Sequence, residues 1–288
     1  MTLGFFLIQG LNALALGGLL FLLSSGFSLI FGLMRIANLT HGAYFMLGAY
    51  VGLSVLRAGF GFGLAVLAGG AAMALLGGAV ERGVLRRLGD RPLAQVLVTL
   101  GLSFIIADLC LMLWTGDPMP LPAPAALRGP LRLFGFAFPS YRVFVVAVAL
   151  VVALALWLLL ERTRLGAMVR AGVDDMEMAR GLGIPVRRLF LIVFCLGSAL
   201  AGMGGVLGGP ILSVYPGLDG DMLPLALVVV ILGGIGSLIG AFVGSFVTGA
   251  VYTFGQALLP ELAYIILFLP MIVMLAIRPG GLFGRRVA

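Results

Sequence analysis

Apolar runs at 5–33, 41–56, 60–80, 93–114, 142–160, 189–212, 223–258 and 262–277 constrain this chain more than any other feature. A run of about 18 or more apolar residues is long enough to cross a bilayer. Hydrocarbon offers no partner for backbone amides and carbonyls, so such runs must close their hydrogen bonds internally, as helices. Composition agrees: 62% of residues are hydrophobic and 10% charged, and mean hydropathy is +1.21, outside the range of water-soluble domains. The expected fold is an all-α polytopic membrane protein of about 8 transmembrane helices, some broken or re-entrant. It forms a single transmembrane domain over 1–288. The first 30 residues lack a basic leader and a small-residue cleavage site, so they are expected to be a retained span.

Charge orients the spans. The net charge of +7 comes entirely from arginine on the basic side, and 13 of the 18 arginines fall in three stretches: ERGVLRRLGDR (81–91), 162–189 and RPGGLFGRR (278–286). The positive-inside rule puts these in the cytoplasm and argues against a nucleic-acid surface. The Pro-rich connection 115–141 and the SVYPGLDGDM turn (213–222) are then external. On this orientation 223–258 must begin and end outside. A single crossing is excluded, and a tight hairpin or re-entrant pair is expected.

The glycine-rich middle of that segment, LGGIGSLIG (232–240), breaks a helix, and broken backbone at membrane depth persists only when buried or lining a cavity. The first half resembles it: RIANLT interrupts the apolar run before the short segment 41–56. Glycine spacings recur in GAYFMLGAYVG (42–52) and GSLIGAFVGSFVTG (236–249), which reads as a weak internal two-fold repeat. Paired interrupted segments point to a transport pathway, although GAFVG (240–244) is also an ordinary small-residue helix contact. The expected pathway lining is Asn38, His41 and Gly42 at the first break and Gly233, Gly234, Gly236 and Ser237 at the second. The cluster Arg35, Asn38, Thr40 and His41 is open to two readings. It is either a capped polar turn or a helix start whose amides face a passing carboxylate.

Chemistry is sparse. Cys110 and Cys195 lie in apolar runs and fit packing, and His41 stands alone, so no metal cluster is expected. No zinc-protease, nucleophile-elbow or Walker motif occurs. Asp108, late in its run and without a basic neighbour, fits an interfacial or structural role. The 28 residues 162–189 are far more than a connector needs and carry six arginines and three acids. Met168, Ala171, Met178 and Leu182 lie on spacings compatible with one apolar helical stripe, ended by Gly183 and Ile184-Pro185. Asp174, Asp175 and Glu177 on its polar side favour a protein partner over anionic lipid.

Three motifs, GLMRIANLTHGAYFMLGAY (32–50), RTRLGAMVRAGVDDMEMARGLGI (162–184) and VVVILGGIGSLIGAFVGSFVTG (228–249), resemble those of permease subunits of ABC importers for branched-chain amino acids, over nearly the whole chain. The resemblance implies a passive half-pore in a bacterial or archaeal cytoplasmic membrane, embedded in lipid and paired with a homologous second permease. It implies two cytoplasmic ATPase subunits that bind the ATP, an extracytoplasmic substrate-binding protein, and no cofactor on this chain. Segment 161–188 then looks like the cytoplasmic coupling segment, with Arg164, Gly166, Arg170, Ala171, Glu177, Ala179, Gly183 and Ile184 facing the ATPase. The importer pattern E-A-A-x-x-x-G corresponds to Glu177, Met178, Ala179 and Gly183, with Met178 in place of the first alanine. Alternatives are an importer permease for another small polar solute such as urea, a stand-alone secondary transporter using His41 or Asp108, and a membrane-embedded transferase, for which no polar catalytic cluster is present.

Overall fold

The structure, a computed structural model, describes residues 3–89, 91–133, 136–278 and 280–284. Asp90 of the first basic stretch and Pro279, Arg285 and Arg286 of the closing RPGGLFGRR lie outside the described residues. Eleven α-helices of four residues or more are described. They are α1 (Leu3–Met34), α2 (Thr40–Arg57), α3 (Phe62–Val80), α4 (Pro92–Trp114), α5 (Ser140–Arg162), α6 (Arg164–Asp174), α7 (Met176–Gly181), α8 (Val186–Leu212), α9 (Leu218–Gly233), α10 (Leu238–Leu258) and α11 (Ala263–Ile277). A π turn at Glu81–Leu85 prolongs α3 to Leu88. Six helices are long and apolar enough to cross a membrane: α1, prolonged α3, α4, α5, α8 and α10. The shorter helices are α2, α9 and α11, and α2 begins inside the bundle, with His41 beside Leu23 of α1 and Thr40 beside Thr99 of α4. The segment expected to begin and end on one side is the α9–α10 hairpin, turning at 234–237.

The bundle is held by backbone approach at glycines. Apolar area gives helices no reason to associate in lipid, so close van der Waals packing must do it. A Cβ on Gly26 of α1 would lie 2.5 Å from the Gly197 carbonyl of α8, and one on Gly249 of α10 would lie 2.7 Å from the Gly17 amide. Helix α8 is the hub: Gly202 meets Gly48 of α2 on one side and Gly69 and Met73 of α3 on another. Helix α2 occupies the centre, with every residue from Thr40 to Met46 buried.

The start of α2 is tied to α4. The Leu39 amide donates to Thr99 Oγ1 at 3.2 Å, and Thr40 Oγ1 donates to the Thr99 carbonyl at 2.9 Å. Thr99→Val removes the hydroxyl acceptor and strands the Leu39 amide, at a cost of about 1–3 kcal/mol. The expected result is a lower thermal midpoint in detergent, restored by Thr99→Ser.

At the proline-rich end, part of the 115–141 connection is ordered as a hairpin, β1 (Pro130–Leu133) and β2 (Phe136–Pro139), with Leu131 opposite Phe138. Met119 and Val214 exchange backbone hydrogen bonds of 2.8 and 2.9 Å, joining this connection to the α8–α9 turn. These strands are an addition to the expected all-α plan, and they lie outside the apolar runs.

Candidate functional site

At the arginine-rich end the helices enclose a cavity of about 1310 Å³. Four parts of the chain line it: the α1–α2 break around Arg35, the α3–α4 turn, the 162–189 island, and the start of α8. Arg35 adopts φ +56 to make the break.

One wall carries an ion pair whose carboxylate is buried. The π turn brings Glu81 and Arg86 together, and Arg86 Nη2 lies 2.9 Å from Glu81 Oε2 and 3.2 Å from Oε1. The Glu81 side chain is 2% exposed and that of Arg86 33%. Arg86 Nη2 also donates to the Arg187 carbonyl at 3.2 Å, joining the end of α3 to the start of α8. In the sequence 81–91 reads as a basic stretch, and nothing there pairs Glu81 with Arg86. The legible trace of the pair was a glutamate and an arginine five apart at the end of an apolar run.

The island is two helices rather than one. Thr163 caps α6, its Oγ1 accepting from the Gly166 amide at 3.2 Å, and Gly166 sits directly against the Leu160 carbonyl. Arg164 is exposed and Ala171 half-buried, while Arg170 pairs with Glu161 at 3.3 Å. Asp175 ends α6 and caps α7: its Oδ1 accepts from the Glu177 and Met178 amides, both at 2.9 Å. Helix α7 ends in a Schellman turn. Gly183, at φ +82, donates to the Arg180 carbonyl at 3.0 Å, and Ile184 donates to that of Ala179 at 3.1 Å. The break at Asp175 divides the expected stripe. Val169, Gly172 and Ala179 face inward, whereas Met178 and Leu182 are 61% and 73% exposed, beside exposed Glu177. Ala179, expected to allow close approach of a partner, is buried against its own chain.

The inner face of α6 lies on the helix breaks. A Cβ on Gly172 would meet Leu33 of α1 at 2.8 Å, and one on Gly236 would meet Val173 at 3.6 Å. Gly32 of α1 and Gly236 of the α9–α10 turn are in direct backbone contact. Gly234 and Gly236 have φ of +99 and +78, and Ser237 caps α10 by accepting from the Gly240 amide at 3.0 Å. Gly233 packs on Gly240 across the hairpin.

Gly233, Gly234, Gly236 and Ser237 therefore cluster beneath the island. Asn38, His41 and Gly42 form a second cluster at the start of α2. Asn38 Oδ1 accepts from the Thr40 amide at 3.2 Å, an Asx turn just ahead of the helix. His41 is fully enclosed, 2.9 Å from the Leu23 carbonyl, to which its Nε2–H donates. Gly42 lets α2 approach α9, a Cβ there lying 2.7 Å from the Asp219 carbonyl. Neither cluster lines the large cavity.

A helix bundle with two interrupted segments and a capped polar island at one end is the architecture of a multi-pass membrane protein. Residues 10–275 match the family described as the permease component of branched-chain amino acid transport systems, and the chain belongs to that family. It is a multi-pass protein of the cytoplasmic membrane. It is similar to the high-affinity branched-chain amino acid transport system permease protein LivH of Escherichia coli, 27% identical over 98% of this chain and 96% of that one. The corresponding protein BraD of Pseudomonas aeruginosa is 27% identical over 97% and 96%. The fructose import permease protein FrcC of Rhizobium meliloti is 29% identical over 83% and 69%. No solved structure matches the chain.

Proposed function

We propose that this chain is the permease subunit of an ATP-driven ABC importer, moving branched-chain or related amino acids by alternating access. It has no ATPase site of its own and needs no cofactor. Two cytoplasmic ATPase subunits dock on the 161–188 segment, a homologous second permease completes the pathway, and an extracytoplasmic binding protein delivers substrate. The observation that carries this reading is the two-sided island. Its outer side exposes Met178 and Leu182, two large apolar side chains with polar neighbours, as a docking anchor requires. Its inner side, at Gly172 and Val173, rests on the end of α1 and the α9–α10 turn. Displacement of the island by an ATPase would thus reach both helix breaks directly, and interfaces packed this closely shift between discrete arrangements. Similarity to FrcC supports a second reading of the cargo, another small polar solute moved by the same mechanism.

The test places a cysteine at Met178 in a chain lacking Cys110 and Cys195, with a second in the groove of the candidate ATPase. An ATP-sensitive crosslink is expected. Labelling of position 178 by an impermeant reagent from outside would invert the topology and overturn the reading. Met178→Glu and Leu182→Glu should each lower ATP-driven uptake at least about tenfold by burying a charge at the docking surface, with the purified chain's thermal midpoint unchanged.

A further inference from the structure

Helix α4 packs against the bundle through Thr99, Ser103, Ile106 and Cys110, spaced by threes and fours. At about 100° per residue, Asp108 points to the opposite side. It is exposed there among the exposed Phe104, Ile105 and Met112. Asp108 precedes the terminal Trp114 by six residues, about 9 Å along the helix, so it lies inside the span. Trp114 is anchored by its Nε1–H on Ser54 Oγ at 2.9 Å, as an interfacial aromatic is. Helix α4 contains no arginine, and among the described residues no salt bridge reaches Asp108.

Two other peripheral helices show what a lipid-facing surface looks like in this chain. Helix α5 presents Leu150, Val151 and Leu154 outward, and α11 presents Ile265, Leu269 and Ile272. Those side chains suit hydrocarbon. A carboxylate does not, and ionisable groups within spans face a protein interior or a water-filled cavity. The outer face of α4 differs from both in carrying a carboxylate among its apolar side chains.

We infer that the outer face of α4 is the side of the chain that meets the second permease subunit, and that Asp108 stands in the aqueous pathway between the two, where it receives the cationic group of the substrate. This inference rests on the permease reading above. For an amino acid the cationic group is the ammonium, held there by a fixed negative charge in a low-dielectric wall. Phe104 and Met112, one turn to either side of Asp108, supply apolar surface for the rest of the molecule.

The experiment uses the assembled transporter in membranes, with Cys110 and Cys195 replaced by alanine. Single cysteines go in as Phe104→Cys, Met112→Cys and, as a lipid-facing control, Leu154→Cys. Water-soluble thiosulfonates of opposite charge are then compared. Positions 104 and 112 are expected to react and 154 not. The cationic reagent is expected to be favoured about tenfold beside the carboxylate, a preference that Asp108→Asn abolishes. In parallel, benzoylphenylalanine at Leu97 should crosslink to a permease peptide. Positions 104 and 112 as inert as 154, or only lipid adducts at 97, would overturn the inference. With ATPase co-purification intact, either result leaves the permease reading standing. A chain that never associates with an ATPase overturns both.

Discussion

Gly202→Leu is expected to keep the bundle from closing. The position is enclosed from two directions: a Cβ there would lie 2.5 Å from both the Gly69 carbonyl and Met73 Cγ of α3, while Gly48 of α2 lies against the Gly202 backbone. Backbone cannot move aside as a side chain can, so the central contacts of α8 with α2 and α3 would have to separate. The cost should be about 3 kcal/mol or more, at or beyond the upper end of ordinary overpacking. The readout is loss of monodisperse protein in detergent and of protease resistance. Gly63→Leu supplies the control, since nothing lies within 4 Å of a Cβ there. A normal yield of folded Gly202→Leu would show that helix approach at glycine is not what holds this bundle.

Arg86→Ala is expected to be the most damaging single change at the cavity. It leaves the buried Glu81 carboxylate without its partner, and because Arg86 is itself partly exposed the cost falls below that of a fully buried pair, about 3–5 kcal/mol. The thermal midpoint should fall markedly, whereas the double variant Glu81→Leu with Arg86→Leu should recover most of the loss. Comparing the singles with the double separates a buried-charge penalty from the loss of the Arg86 contact to the Arg187 carbonyl. A double variant as unstable as Arg86→Ala would show that the contact to α8 matters more than the charge.

The sequence exposes its spans because hydropathy is summed over many residues, and the arginine stretches add direction. Those two facts alone required 223–258 to turn back, and the α9–α10 hairpin does so at its glycines. The end of α7 was equally legible, since Gly183 before Ile184-Pro185 stops a helix by local chemistry. What escaped depends on contacts between distant residues. Helix α2 reads in the sequence as a short segment after a break, but its enclosure on all sides does not show there, because a helix at the centre of a membrane bundle is no more apolar than one facing lipid. The island looked like one stripe because spacing cannot show that Asp175 caps a new helix and turns Ala179 inward. The candidate pathway residues were picked from broken-helix patterns. The structure gathers the Gly233–Ser237 set under the island and encloses Asn38 and His41 beside α1 and α4, a partition that no local pattern encodes. Asp108 was visible as a lone acid, but the direction it faces is set by the side of α4 that packs on α2 and carries the Ser103 hydrogen bond to Asp219.

The end of α9 is finished by residues far downstream. Helix ends leave carbonyls without intrahelical partners, and here Leu282 and Phe283 donate to the carbonyls of Leu232 and Gly233 at 2.9 and 3.0 Å. Gly281 and Gly284 fit against Gly234 because no Cβ stands between them. The hairpin precedes those donors in the chain, so its turn keeps open acceptors until 280–284 folds back onto it. Closure of that turn records that α10 and α11 have been inserted and have brought 280–284 back to the arginine-rich end. The same few hydrogen bonds that finish a helix thereby fasten segment 280–284 to the α9–α10 turn.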